Sequence, residues 1–160
     1  MSDIIGSEQL FSKTLRAVFT SLKDKPRTID EIISEVFKQK VSLWRPKKDA
    51  IRSLKILEIM GFVKRRREGD RRIYEIINTA PNHKLGIYAT SRCLQKMLEE
   101  FDYSSEVILI GDLKSDMKSF SENEIDAVLK LLEEKKQIKI ENGKIYRNVT
   151  ISSFKKTSDQ

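Results

Sequence analysis

The sequence has a single cysteine and a single histidine among its 160 residues. One cysteine cannot form a disulfide within the chain, and this pair cannot supply the four ligands of a structural zinc site. No apolar run approaches the roughly 20 residues of a membrane-spanning helix, and the first residues lack the basic start and apolar core of a signal peptide. We therefore expect an intracellular protein without membrane contact: cytoplasmic or nucleoid-associated, or nuclear in a eukaryote. The cysteine, Cys93, is interpreted as a small, partly buried apolar side chain.

The sequence also lacks the signatures of catalysis. His83 lies in or beside a predicted linker, so no Ser/His/Asp or Cys/His constellation is supported, and there is no phosphate-binding loop motif. Asp112 and Asp116 have no further carboxylate or histidine at a spacing that suits a metal ion. We predict a protein that is not an enzyme and that uses no cofactor or metal.

Positive charge, by contrast, is plentiful and unevenly placed. The net charge is +7. Residues 38–72 contain 13 Lys or Arg against 4 Asp or Glu, a balance of +9, whereas residues 81–150 contain 11 against 12, a balance of −1. This distribution predicts that a polyanion binds to the first half of the chain.

Residues 45–77 are the stretch around which the chain is organised. Pro46 suits the first turn of a helix and Gly61 suits its end. The spacing of the apolar residues between them predicts a buried stripe, formed by Ala50, Leu54, Leu57 and Met60. Two β-rich segments follow, and the Glu68-Gly69-Asp70 turn between them predicts a hairpin.

Two further helices are predicted before this stretch. Residues 7–23 have apolar side chains at helical spacing, with Ser7 as a possible N-cap. Thr28 and Glu31 have the spacing of a capping box at the start of a second helix. Residues 38–44 form a turn, in which we interpret Trp44 as a core or hinge aromatic rather than a base-stacking one.

The motif Leu54-x-x-Leu57-x-x-x-Gly61-Phe62-Val63-x-Arg65, followed by the Gly69 turn and Arg72-x-Tyr74, resembles the third helix and wing of winged helix-turn-helix proteins such as the MarR, ArsR and PadR regulators. This resemblance implies binding of double-stranded DNA, with the helix in the major groove and the wing on phosphates or in the minor groove. Arg52 is the expected base-specific contact, to guanine. The predicted DNA-binding residues are Arg45, Lys47, Lys48, Arg52 and Lys55 on the helix, and Lys64, Arg65, Arg66, Arg67, Arg71 and Arg72 in the wing.

The second half of the chain repeats the first at a shift of 75 positions. The aligned pairs of segments are 31–33 with 106–108, 54–58 with 129–133, 63–64 with 138–139, the Gly69 turn with 141–143, and 73–74 with 145–146. We therefore predict a mainly α fold with small β wings, built from two tandem winged helix-turn-helix domains. The predicted domains are 1–79 and 80–151, joined by a linker at 78–82 and followed by a flexible tail at 152–160. Helices at 91–101, 105–117 and 121–136 and a wing at 138–150 are expected in the second domain.

The second domain lacks the cationic surface of the first. Its third helix is rich in Glu and Asp, and its wing turn, Glu141-Asn142-Gly143, has no arginine cluster. We expect this domain to bind a protein partner or a second copy of the chain. The leading hypothesis is a transcriptional regulator. The alternative is a non-catalytic assembly subunit of a transcription, replication-initiation or chromosome-segregation complex, since tandem winged helices also occur in a subunit of RNA polymerase III, in TFIIE, in plasmid initiators and in ScpB.

Overall fold

The computed structural model describes residues 12–77, 86–102 and 107–147. These residues form a mixed α/β structure that is mainly helical, with six helices and two small antiparallel sheets. The predicted mainly α fold with small β hairpins is thereby confirmed. The chain divides into two compact units, Met1–Ser91 and Arg92–Gln160. The predicted N-cap Ser7, the linker, His83 and the tail lie outside the described residues.

The first unit has three complete helices and one hairpin, and its last residues begin a fourth helix. The complete elements are α1 (Lys13–Thr20), α2 (Ile29–Lys38), α3 (Pro46–Met60), β1 (Val63–Glu68) and β2 (Arg71–Ile76). At the start of α2 the predicted capping box is formed: the Thr28 hydroxyl accepts from the Glu31 amide at 3.3 Å, and the Glu31 carboxylate accepts from the Thr28 amide at 2.9 Å. Helix α3 begins at Pro46 and ends before Gly61, whose φ of 89° is left-handed, as predicted.

Helix α3 packs against α1 and α2 through the predicted stripe, because Ala50, Leu54, Leu57 and Met60 are all buried. Phe62, directly after the helix, meets Phe19 of α1 edge to face, with ring centroids 6.0 Å apart. Burial of this side leaves the opposite face of α3 directed away from the core.

The hairpin of β1 and β2 turns over Gly69 and Asp70, as predicted. Gly69 has a φ of 62° and Asp70 has no positive φ, which is the pattern of a type II′ turn. Glu68 pairs with Arg71 across this turn. At its other edge β2 is fixed to the segment before α2, because Arg27 and Tyr74 exchange two backbone hydrogen bonds of 3.0 and 2.9 Å.

The elements of the described chain after residue 86 follow a similar order. They are α4 (Ile87–Asp102), β3 (Val107–Leu109), α5 (Ile110–Asp116), α6 (Glu122–Glu134), β4 (Ile138–Glu141) and β5 (Lys144–Arg147), and the sheet order is β3-β5-β4. Ser121 and Glu124 form the predicted capping box of α6. Asn142 and Gly143 have φ values of 53° and 74°, the pattern of a type I′ turn.

Two predicted helices have different bounds, and one predicted alignment is wrong. The helix expected over residues 91–101 spans Ile87–Asp102. In the described part of the helix expected over residues 105–117, only Ile110–Asp116 is helical, because Val107–Leu109 pairs with β5 as a strand. Segments 31–33 and 106–108 therefore do not correspond, since the first lies in α2 and the second includes β3 residues. In the other aligned segments, helix still matches helix and hairpin matches hairpin. Tyr74 and Tyr146 also occupy matching positions. Tyr74 pairs with Arg27, just before α2, and Tyr146 pairs with Val107 in the strand before α5.

Candidate nucleic-acid interface

The side of α3 that faces away from the core is cationic. Lys47, Lys48 and Lys55 are exposed and Arg52 is half-buried. In a helix, residues three and four apart are neighbours, so these side chains form one continuous face. Near the centre of this face lies Ile51, with 43% of its surface exposed. We call Lys47, Lys48, Ile51, Arg52 and Lys55 the α3 face.

Trp44 extends the exposed surface at the start of α3, and its predicted position in a core is wrong. Its side chain is 85% exposed. The reason is an alternation in the segment before the helix, in which Val41 and Leu43 are buried while Ser42 and Trp44 point outward. The guanidinium carbon of Arg45 lies 5.0 Å from the Trp44 ring centroid, within cation–π distance.

The hairpin divides its six predicted DNA-binding cations between two faces. Strand pairing sets Arg65 opposite Tyr74 and Arg67 opposite Arg72. Opposed residues share a face, and positions two apart along a strand do as well. We call the face with Arg65, Arg67 and Arg72 the helix-side face, because the Arg65 guanidinium lies 3.5 Å from the Glu58 carboxylate of α3.

The other three cations, on the opposite face, are held by carboxylates. Arg66 contacts Glu68 at 2.6 Å and Glu75 at 3.1 Å, and Lys64 lies 3.8 Å from Glu75. The hydrogen bond from Arg66 lowers the pKa of Glu68 below its usual value. Arg71 lies 3.8 Å from Glu31 of α2. This opposite face, formed by Lys64, Arg66 and Arg71 with their acidic partners, is therefore nearly neutral, and it also includes the buried Ile73.

Arg67 and Arg72 near the hairpin tip are in a different electrostatic state. They are directly opposed, an arrangement in which two like charges repel. Within the described residues, neither lies within 4.0 Å of a carboxylate. A bound anion between them would relieve the repulsion.

Glu58 joins the α3 face to the helix-side face of the hairpin. Its partial burial raises the pKa of the carboxyl group above its usual value, and the nearby charges of Arg65, Arg72 and Lys55 act in the opposite direction. Lys55 lies one turn before Glu58 on α3 and Arg65 contacts Glu58, so the two faces adjoin and form a single cationic surface around this carboxylate. Neither Glu58 nor Ile51 was predicted from the sequence to belong to this surface. The signal was available for Ile51, because helical spacing places it off the buried stripe.

The corresponding surface of the second unit is different. Lys130 of α6 is 75 positions after Lys55 and is exposed. It is surrounded by a more acidic helix, in which Glu122 and Asp126 lie 3.5 and 3.0 Å from Lys114 of α5. This distribution offers no cationic surface comparable with that of the first unit.

The second unit also has an apolar patch on its sheet. Val107 and Leu109 are 41% and 48% exposed, whereas Ile108 between them is buried. Strand alternation therefore places Val107 and Leu109 on the outward side of β3, which is an edge strand. We call these two residues the β3 patch.

Cys93 is fully buried, where partial burial was predicted, and burial raises the pKa of its thiol to about 12. No three His, Cys, Asp or Glu residues of the described chain form a cluster suited to a metal ion. No described helix is long and apolar enough to cross a membrane. The sequence matches no family model, and no curated protein or solved structure is significantly similar to it.

Proposed function

We propose that this chain is a DNA-binding protein, a transcriptional regulator made of two tandem winged helix-turn-helix domains. The observation that carries the proposal is the single cationic surface formed by the α3 face and the helix-side face of the hairpin. Both belong to elements that are fixed by packing: α3 through its buried stripe, and the hairpin through the Arg27–Tyr74 pairing. A rigid surface of this kind positions its charges before it meets its ligand.

The dimensions and charges suit duplex DNA. An α-helix with its side chains is about 10–12 Å across, and the major groove is about 12 Å wide. With α3 in the groove, Arg52 reaches base edges, where its planar fork matches the O6 and N7 acceptors of guanine. Arg67 and Arg72 then bind the phosphates beside the groove, and Lys47, Lys48 and Lys55 add to the electrostatic attraction.

A pair of charge reversals at equivalent positions tests this function. Lys55→Glu lies on the proposed interface, and Lys130→Glu makes the same change of net charge at the matching position of the second unit. Affinity for a mixture of random duplexes is measured by fluorescence anisotropy with the full chain. We expect Lys55→Glu to weaken binding at least tenfold and Lys130→Glu to change it less than threefold, in line with about 1.4 kcal/mol for a tenfold effect. Equal effects of the two variants would contradict the assignment of DNA binding to the first unit.

The β3 patch favours a protein partner for the second unit, either another copy of the chain or a component of a larger assembly. Exposed apolar side chains on an edge strand are typical of surfaces that pair with a second polypeptide. The variant Val107→Asp/Leu109→Asp tests self-association, measured as molar mass by light scattering over a range of concentrations. A concentration-dependent dimer that this variant abolishes would support self-association. A monomer at every concentration would exclude it and leave a different protein as the partner.

A protein partner at the β3 patch would also fit a second candidate function, that of an assembly subunit of a transcription, replication-initiation or chromosome-segregation complex. Selection from a random duplex library separates the two. A regulator enriches a defined sequence, whereas a subunit that only holds DNA within a complex enriches none.

A further inference from the structure

Ile51 is an apolar residue in an unusual place. It is 43% exposed on the α3 face, with Lys47 and Lys48 one turn before it and Lys55 one turn after it, whereas the buried Leu54 adjoins its other side. The fold covers only part of this side chain, and an apolar group among these lysines adds nothing to the attraction of phosphate.

The chemistry of the surrounding charges restricts what can cover Ile51. A partner that brings it out of water must also neutralise the lysines around it, which requires a polyanion. In duplex DNA, the apolar group that the major groove presents is the C5-methyl of thymine. Ile51 is next to Arg52 in the chain, and Arg52 is the side chain placed to read base edges.

We propose that Ile51 is a specificity-determining residue that contacts a thymine methyl group in the centre of the bound site. This inference rests on the proposed DNA-binding function and adds a base preference to it. Affinity for the phosphate backbone comes from the cations, and discrimination at one base pair comes from this apolar contact. Removal of the thymine methyl group or truncation of the Ile51 side chain should each weaken binding by about fourfold, the effect of one buried methyl or methylene group.

The test exploits the fact that deoxyuridine is thymidine without its methyl group. The probe is the duplex enriched by the wild-type chain from a random library, in which each thymine is replaced in turn by deoxyuridine. We expect one or two positions at which the wild type loses about fourfold in affinity. Ile51→Ala should bind the unmodified duplex correspondingly more weakly. Its affinity should not fall further when deoxyuridine is placed at the same positions, because the contact is already lost and the two effects are not additive.

Tyr88→Ala provides the control, because Tyr88 is 51% exposed at the start of α4 and belongs to neither proposed binding surface. It should retain the full sensitivity to deoxyuridine, and thermal melting of each variant confirms that it is folded. Sensitivity that persists in Ile51→Ala, or a wild type indifferent to every replacement, would overturn the assignment of Ile51. That result would leave DNA binding intact if Lys55→Glu still weakens it. A chain that binds no duplex at all would refute the proposed function and this inference with it.

Discussion

Replacement of both Arg67 and Arg72 by alanine should weaken DNA binding far more than replacement of Lys64 and Arg66. Each double variant removes two positive charges from the same hairpin, so the loss of net charge is matched. The surroundings of the two pairs differ. Arg67 and Arg72 repel each other on the helix-side face. Lys64 and Arg66 contact the carboxylates of Glu68 and Glu75 on the opposite face. We therefore expect only Arg67 and Arg72 to contact phosphate, because a bound phosphate would offset their mutual repulsion.

The expected magnitude follows from counterion release. Each phosphate contact contributes about 0.9 to the slope of log affinity against log salt, so loss of two contacts should lower the slope by about 1.8. At a salt concentration of about 0.1 M this corresponds to a loss of roughly 60-fold in affinity. For Lys64→Ala/Arg66→Ala we expect a change of slope below about 0.5 and a loss within about threefold, because these charges are already neutralised in the free protein.

The assay is a titration of labelled duplex with each full-length variant at several salt concentrations. Thermal melting serves as the control for folding, and removal of the opposed arginines should not lower the melting temperature, since like charges across a strand pair are destabilising. If the two double variants lost affinity and slope equally, the hairpin would be acting through its total charge, and the distinction between its faces would have no role in binding.

Three other predictions concern single side chains. Burial raises the pKa of Glu58, so the folded chain holds this proton more tightly than the unfolded one, and stability should fall as pH rises above about 4.5. Glu58→Gln should flatten that fall in melting experiments, and it should also strengthen DNA binding by removing a negative charge from the cationic surface. With a pKa of about 12 and full burial, the Cys93 thiol should react with a disulfide reagent much more slowly in the native than in the denatured protein. Thr28→Ala and Ser121→Ala should each lower the free energy of unfolding by about 1 kcal/mol through loss of the N-cap, as measured in urea.

Features set by a few neighbouring residues could be predicted from the sequence. The start and end of α3 depend on Pro46 and Gly61, and the two capping boxes depend on a hydroxyl and a carboxylate three positions apart. Both hairpin turns depend on a glycine in a left-handed conformation. Each of these signals acts within one helical turn, so no knowledge of the tertiary structure was required.

Features that depend on distant partners were missed or left incomplete. Strand β3 has only three residues, and its conformation is determined by pairing with β5 near the end of the described chain, which local propensity does not reveal. Trp44 was interpreted by the usual behaviour of tryptophan, but Val41 and Leu43 occupy the buried positions of that segment. The division of the hairpin cations between faces could have been derived, because a two-residue turn at Gly69 fixes the register and hence the side of every residue.

The two-residue turn at Gly69 therefore determines on which side of the hairpin each charged side chain lies. A Cβ at this position would meet no atom within 4 Å, so glycine is needed there for its backbone conformation and not for space. One extra residue at the bend would shift β2 against β1, and a shift by one position exchanges the two sides of the shifted strand. Because β1 continues from α3, Arg71 would then take the side now occupied by Arg72, and Arg72 would leave the face of Arg67. The length of the turn thus determines which arginine of β2 lies on the same face as Arg67.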